Sequence, residues 1–259
     1  MHPSGFPYDV PVGALEFSTA RRTLARVFIR GSGIEVGAGT RPWPLPDGVK
    51  CFYGDVRSEK ALEQYFEIGG SLLDGQLDAQ TFSGVADSSV DFVLSAHVIE
   101  HLPDPLGAIR EALRIIRPGG IFMFAIPDKR YIFDHPRPVT SWSHLLEDLE
   151  TGGEPTRYEA YHECERYLGS LPEEKIDGRV KLHMRARADV HFHTWTTETF
   201  VHMVEWACQQ FGAELLHTEQ VHCENIAVLR KLSSAGPEGH TRSNARVGER
   251  ASSPGAVRT

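Results

Sequence analysis

Residues 33–39, Gly33-Ile34-Glu35-Val36-Gly37-Ala38-Gly39, join a short apolar run to a Gly-X-Gly turn. After the first strand of a parallel sheet, such a turn lets a ligand lie against bare backbone. The residues after the turn decide which ligand. A dinucleotide site needs a third glycine and a helix whose N-terminal amides hold the pyrophosphate. Here the chain continues Thr40-Arg41-Pro42-Trp43-Pro44-Leu45-Pro46, and prolines at alternate positions cannot open a regular helix. No lysine followed by Ser or Thr stands in phosphate-loop spacing either. The turn therefore suits a nucleoside without phosphates, and adenosyl ligands fit that description. Three carboxylates accompany it: Glu35 just before the turn, Asp55 at the end of the next strand candidate, 18 residues after Gly37, and Asp78 at the end of the third. Asp55 could accept from two ribose hydroxyls and Asp78 from an exocyclic amine. Asp at strand ends also caps turns, but placement at three successive strand ends favours a ligand-binding set.

The chain has 13 histidines. His97, Glu100 and His101 spell His-Val-Ile-Glu-His, the pattern of some zinc peptidases, and two histidines four apart on a helix can share a metal. His191 and His193 are two apart, so on an extended segment they point the same way. A neutral imidazole there could accept a proton from a hydroxyl or ammonium group; the plainer alternative is a hydrogen-bonded pair without chemistry. His193 is the first choice for a base and His191 the second. His144 and Asp148, four apart, could form an orienting pair, and Asp128, directly after Pro127, would stand at the mouth of a pocket. Trp195, Tyr131 and Phe133 could line that pocket, although packing is the favoured role.

These residues need elements to place them. Hydrophobic spacing predicts a helix over 13–30, strands over 33–36 and 49–56, a helix over 58–68, and a weak strand over 72–78. A strand over 90–96, a helix over 105–116 and a strand over 121–127 come next, then a helix over 196–211 and strands over 214–222 and 225–231. Alternation of strands with helices predicts a parallel α/β sheet. The tight connection between the last two strands requires one of them to run antiparallel. Residues 129–190 break the alternation, with helix candidates near 141–150 and 156–168, and an insertion of this length suits a lid or substrate surface. The expected organisation is an N-terminal arm and helix over 1–30, a domain over 31–232, and a disordered tail over 233–259.

Composition narrows the function. The 259 residues are 41% hydrophobic and 24% charged, which suits a globular fold with a sizeable core and excludes collagen-like or wholly disordered chains. No run approaches the roughly 20 apolar residues of a membrane helix, and no secretory signal is visible. Four scattered cysteines form neither a disulfide framework nor a Cys-X-X-Cys site, so a reduced, cytoplasmic protein is expected. The tail carries +2 from four Arg and two Glu, which leaves −10 on the rest of a chain whose net charge is −8. That acidic body argues against nucleic acid as the partner. A small-molecule acceptor and a monomer or homodimer are expected.

The segments Ile34–Thr40, Gly54–Val56, Asp78–Phe82, Ser88–Pro105 and Ala112–Asp128 together resemble the class I S-adenosylmethionine-dependent methyltransferases, in particular the small bacterial methyltransferase-domain group. His191–Phe200 and the last strand pair look like that family's carboxyl half. The resemblance implies a Rossmann-like, seven-stranded, mostly parallel sheet with its last strand antiparallel, helices on both faces, and a helical insertion after the fifth strand. It implies S-adenosyl-L-methionine as cofactor, held by Glu35, Gly37, Ala38, Gly39, Asp55, Asp78, Ala79, Ser95, Ala96, His97 and His101. Within that block His-Val-Ile-Glu-His reads as cofactor-site wall, and no metal is expected. The family's long helix after the first strand is replaced here by the proline-rich link. The implied function is methyl transfer to oxygen or nitrogen of a small molecule, such as a sugar or secondary metabolite, with a histidine base. A catalytically silent cofactor-binding protein and an NAD-dependent oxidoreductase are the competing readings. The Asn-Pro-Pro-aromatic motif of several base-modifying relatives is absent, since that place reads Ala125-Ile126-Pro127-Asp128.

Overall fold

The computed structural model describes residues 14–66 and 70–233. The expectations for residues 1–13 and for the tail from 234 onward lie outside them. The helices are α1 (Ala14–Phe28), α2 (Glu59–Phe66), α3 (Pro105–Ile115), α4 (Trp142–Thr151), α5 (Arg157–Leu168), α6 (Glu173–Ala186) and α7 (Thr197–Phe211). The strands are β1 (Ser32–Val36), β2 (Lys50–Asp55), β3 (Gly75–Gln76), β4 (Val90–Ala96), β5 (Ile116–Pro127), β6 (Ala213–Val221) and β7 (Glu224–Lys231). They form one sheet in the order β3-β2-β1-β4-β5-β7-β6. β7 alone among these strands runs antiparallel to its neighbours, slotted between β5 and β6. This is the Rossmann-like sheet with a reversed last strand.

The sheet is buried on both faces, as interior parallel strands require. On one side Ile34, Val36, Val93, Phe122 and Phe124 pack with residues of α3 and α7 such as Ile109, Leu113, Phe200 and Met203. On the other, Phe92, Leu94, Met123 and Val228 pack with Leu24 and Ile29, from α1 and just beyond it, and with Trp43 from the link after β1. That link, residues 37–49, contains no helix, as its prolines dictate. Trp43 supplies the bulk a helix would otherwise bring and is 1% exposed.

Three elements differ from the sequence reading. The third strand contracts from 72–78 to two residues, because Asp78 turns the chain there by accepting from the Gln80 amide. β5 begins at Ile116 rather than at Ile121: Val90 pairs with Ile116 and Phe92 with Ile121, so residues 117–120 bulge out of the ladder. Helix α6 carries little apolar periodicity yet buries Ile176 and Val180 against Tyr161 and Phe192 in a small core of the insertion. Among the described residues no helix is long and apolar enough to cross a membrane.

The link is tied to the sheet by Glu35. This side chain, 1% exposed, accepts the Trp43 amide at 3.0 and 3.2 Å through its two oxygens. Burial pushes its carboxyl up from 4.5 to about 7, against the pull of the Trp43 amide and Arg21. Burial and, next to it, the Glu35 charge raise the Cys51 thiol, and Tyr53, raised first by burial, is also raised in part by that charge. The folded state thus binds this proton more tightly than the unfolded chain, so the carboxyl's contribution to stability falls as pH rises from 4.5 to about 7. The displacement is worth about 3 kcal/mol. Glu35→Gln keeps an acceptor for the Trp43 amide and removes the titration. Urea midpoints measured from pH 5 to 7.5 should fall more steeply for the wild type than for Glu35→Gln, and parallel curves would refute this account.

Candidate functional site

Parallel strands end together, so the carboxyl ends of β1, β2, β4 and β5 place Gly37, Asp55, His97 and Asp128 along one edge. Gly37 and Gly39 take φ of +68° and +52°, a region disfavoured for other residues. A Cβ on Gly37 would come within 2.3 Å of Val98, and one on Gly39 within 2.5 Å of the Phe66 ring. Ala38 between them is buried. Asp55 is 8% exposed and accepts the Arg57 amide at 2.8 Å. Asp78 is exposed and caps its own turn through Gln80 and Thr81, while Ala79 beside it is half-buried. Ser95 and Ala96 close β4, and the buried Ser95 hydroxyl has no hydrogen-bond partner.

The segment after β4 is not the regular helix that the His-Val-Ile-Glu-His spacing suggests. His97 sits at φ +55°, and only Ile99–His101 form a 3-10 turn. The two histidines therefore diverge. His97 Nε2 lies 3.0 Å from Glu224, and its Nδ1 3.4 Å from Glu100. Burial opposes its charge, but the two carboxylates outweigh that and raise it to about 9. His101 Nδ1 instead meets Asp189 at 2.8 Å, and Asp189 also pairs with Arg57 at 2.6 Å.

Glu224 reaches this edge because β7 is reversed: its first residue pairs with Pro127, the last of β5. Arg21 of α1 clasps it, Nε on one oxygen at 3.0 Å and a terminal nitrogen on the other. Sequence reasoning missed Arg21, Arg57, Glu224 and Asp189. The strand reversal was a signal for Glu224; the other three depend on contacts that sequence spacing does not encode.

Asp128, placed by sequence at the mouth of a pocket as a catalytic candidate, is fully buried. It accepts from the Arg130 side chain and amide and from the Thr197 amide and hydroxyl, so it anchors the start of α7. Glu35, expected at the cofactor, instead holds the Trp43 link to the sheet. His191 and His193 are both buried but turn to different carboxylates, His191 Nδ1 to Asp134 at 2.5 Å and His193 Nε2 to Asp148 at 2.8 Å. His144 Nε2 shares Asp148 at 3.2 Å, and Thr156 bonds its other oxygen. Burial lowers His193, with Asp148 pulling the other way, whereas Asp148 raises His144. The Nδ1 of His193 is buried without a partner. Trp195 is buried, Phe133 stacks near His191, and Tyr131 is exposed. A groove of about 460 Å³ on the insertion, lined by Tyr158, His162, Arg166, Tyr167 and Asp177 among others, lies apart from the glycine turn.

A family model described as a methyltransferase domain matches residues 58–124. A probable S-adenosylmethionine-dependent methyltransferase of Mycolicibacterium smegmatis is 44% identical over 77 residues, 26% of this chain and 29% of that protein. Over these segments the chain is similar to S-adenosylmethionine-dependent methyltransferases. An uncharacterized methyltransferase of Mycobacterium sp. (strain KMS) is 56% identical over 36 residues, 14% of each chain. Among solved structures, a methyltransferase from Thermotoga maritima aligns with a TM-score of 0.47 at 16% identity, covering 83% of this chain and 89% of its own. The chain thus matches less than a third of the length of these curated relatives.

The family model's match begins after the glycine turn, Asp55 and the helix-free link. The residues present fit the family's cofactor. A left-handed glycine turn with no helix behind it offers no pyrophosphate seat, Asp55 closes β2, and the Ser95 hydroxyl is an unused buried polar group. The edge depends on the Arg21–Glu224 pair. Arg21→Met leaves a buried carboxylate short of its main cation, and should cost the protein about 3 kcal/mol by urea unfolding. A loss below about 1 kcal/mol, the range of surface pairs, would contradict that role.

Proposed function

We propose that this protein transfers a methyl group from S-adenosylmethionine to an oxygen or nitrogen of a small acceptor. The observation that carries the reading is the left-handed Gly37–Gly39 turn running into a helix-free link at the edge of a sheet whose last strand is reversed. The same link disfavours an NAD-dependent oxidoreductase, whose pyrophosphate needs a helix N-terminus there. Gly37, Ala38 and Gly39 would let the cofactor approach the backbone, Asp55 would accept from its ribose hydroxyls, and Ser95, Ala96 and His97 would wall the site. When bound, the cofactor supplies an activated methyl on a sulfonium, so the protein's share is alignment, desolvation and removal of a proton.

His193 is the candidate base. Asp148 holds its Nε2, which fixes the tautomer that leaves Nδ1 as acceptor. His144, partly exposed on the same carboxylate, can pass a proton toward solvent. His191, the second candidate, has its Nδ1 bound to Asp134. The insertion over 129–190 would act as lid and acceptor surface, since residue 189 at its end pairs with Arg57 beside Asp55. Four free cysteines suit a reducing compartment such as the cytoplasm. The acidic body supports a small acceptor over nucleic acid.

Two substitutions separate binding from chemistry. Asp55→Ala should weaken S-adenosylhomocysteine binding at least tenfold in calorimetry, and wild-type affinity would remove Asp55 from the site. His193→Ala should keep that affinity within about threefold while lowering turnover by about 10²-fold or more. Acceptors are found by screening small-molecule pools by mass spectrometry for a gain of one methyl; unchanged turnover in His193→Ala refutes the base assignment.

A further inference from the structure

Glu100 poses a problem that methyl transfer does not answer. Its side chain is fully buried, and neither carboxylate oxygen has a hydrogen-bond partner; the His97 ring at 3.4 Å is its ion-pair contact. Leaving a carboxylate buried without hydrogen bonds is costly, and such groups pair with a cation or bind a metal. Two imidazoles stand beside it. One ligand atom each from Glu100, His101 and His191 lies within 4.8 Å of the other two. The His101 and His191 rings meet edge to face with centroids 4.5 Å apart.

Both rings are oriented from behind. His101 Nδ1 is bound to Asp189 at 2.8 Å, and His191 Nδ1 to Asp134 at 2.5 Å. Each ring therefore has Nε2 as the nitrogen outside its carboxylate bond. An imidazole oriented by a carboxylate behind it is the usual support of a metal-binding histidine. Both supporting carboxylates are in turn held by arginines, Asp189 by Arg57 and Asp134 by Arg137. The carbonyl of Glu100 accepts the amides of Phe192 and His193, which fixes the backbone carrying His191 against the turn carrying Glu100 and His101.

We propose that Glu100, His101 and His191 bind a divalent first-row transition metal ion. Two imidazoles and one carboxylate are a donor set for Mn²⁺, Fe²⁺, Co²⁺ or Zn²⁺, and they leave coordination positions open to water or an acceptor oxygen. Bonds of about 2.1 Å require small inward rotations of the three side chains. The neighbouring cluster of His144, Asp148 and His193 also groups three possible ligands. It is the weaker candidate, because His144, His193 and Thr156 already satisfy Asp148 with hydrogen bonds. The metal site does not depend on the methyltransferase reading, since the ion is bound by this chain's own side chains.

The test needs neither S-adenosylmethionine nor an acceptor. Full-length protein stripped with a chelator is titrated with Mn²⁺ and with Zn²⁺ by calorimetry, with Mg²⁺ as the oxygen-preferring comparison. One ion per chain is expected for Mn²⁺ and Zn²⁺. Glu100→Gln and His191→Ala should each weaken it at least tenfold, and His144→Ala should leave it within about twofold. Electron spin echo spectra of the wild-type Mn²⁺ complex should show imidazole nitrogen coupling, a readout that survives if a variant fails to fold. No binding by wild type at millimolar ion, no nitrogen coupling, or loss of binding in His144→Ala with retention in His191→Ala would each overturn the proposal.

Discussion

A carboxylate taken out of water must be bonded, paired or protonated, and Glu35, Glu100, Asp128 and Glu224 are all buried along the edge where the parallel strands end. Much of the architecture around that edge depends on how each is satisfied. Glu35 holds the Trp43 amide and so draws the proline-rich link across one face of the sheet. Glu224 draws Arg21, and with it α1, over the same face, where the guanidinium also lies 5.1 Å from the Trp43 ring. Asp128 caps the beginning of α7 on the other face. Three connections that share no sequence pattern are thereby set by three acids at or near the ends of β1, β5 and β7.

The strand edge was legible because its signals are local. A Gly-X-Gly turn, prolines that forbid a helix, and an Asp ending a strand state their geometry within a few residues, and the two-residue link from β6 to β7 dictates the antiparallel pair. The histidines were less legible for the opposite reason. His97 and His101 stand four apart, and spacing alone makes them helix neighbours; the left-handed backbone at His97 sends them to partners 127 and 88 residues away. Helix α6 was invisible because its apolar face covers only a satellite core, so few of its positions are constrained to be hydrophobic.

Leu145 of α4 packs the insertion into the main core, and charge compensation adds further ties between the two. Arg137 is fully buried and bonds Asp134, Glu163 and the backbone carbonyls of His191 and Phe192. Buried arginine is tolerated when its five donors are satisfied, and a planar fork suits several acceptors at fixed angles better than an ammonium would. The result couples the start of the insertion, its helix α5 and its return segment in one network. Arg57 repeats the device at the far end, joining Asp55 to Asp189.

The return segment 191–195 brings these themes together. Phe192 enters the insertion's core, Trp195 the main core, and the two histidines take separate carboxylates between them. Backbone bonds from Phe192 and His193 to Glu100 fix its distance from the end of β4. A cation drawn to Glu100 would therefore act on His191 directly and on His193 through two residues of constrained backbone. The positions of the His191 and His193 rings on one short segment cannot be set independently: a change at the first ring constrains the Nδ1 of His193. Separate Asp134 and Asp148 partners remain compatible with that coupling, because each orients one ring while the shared backbone sets the spacing between them.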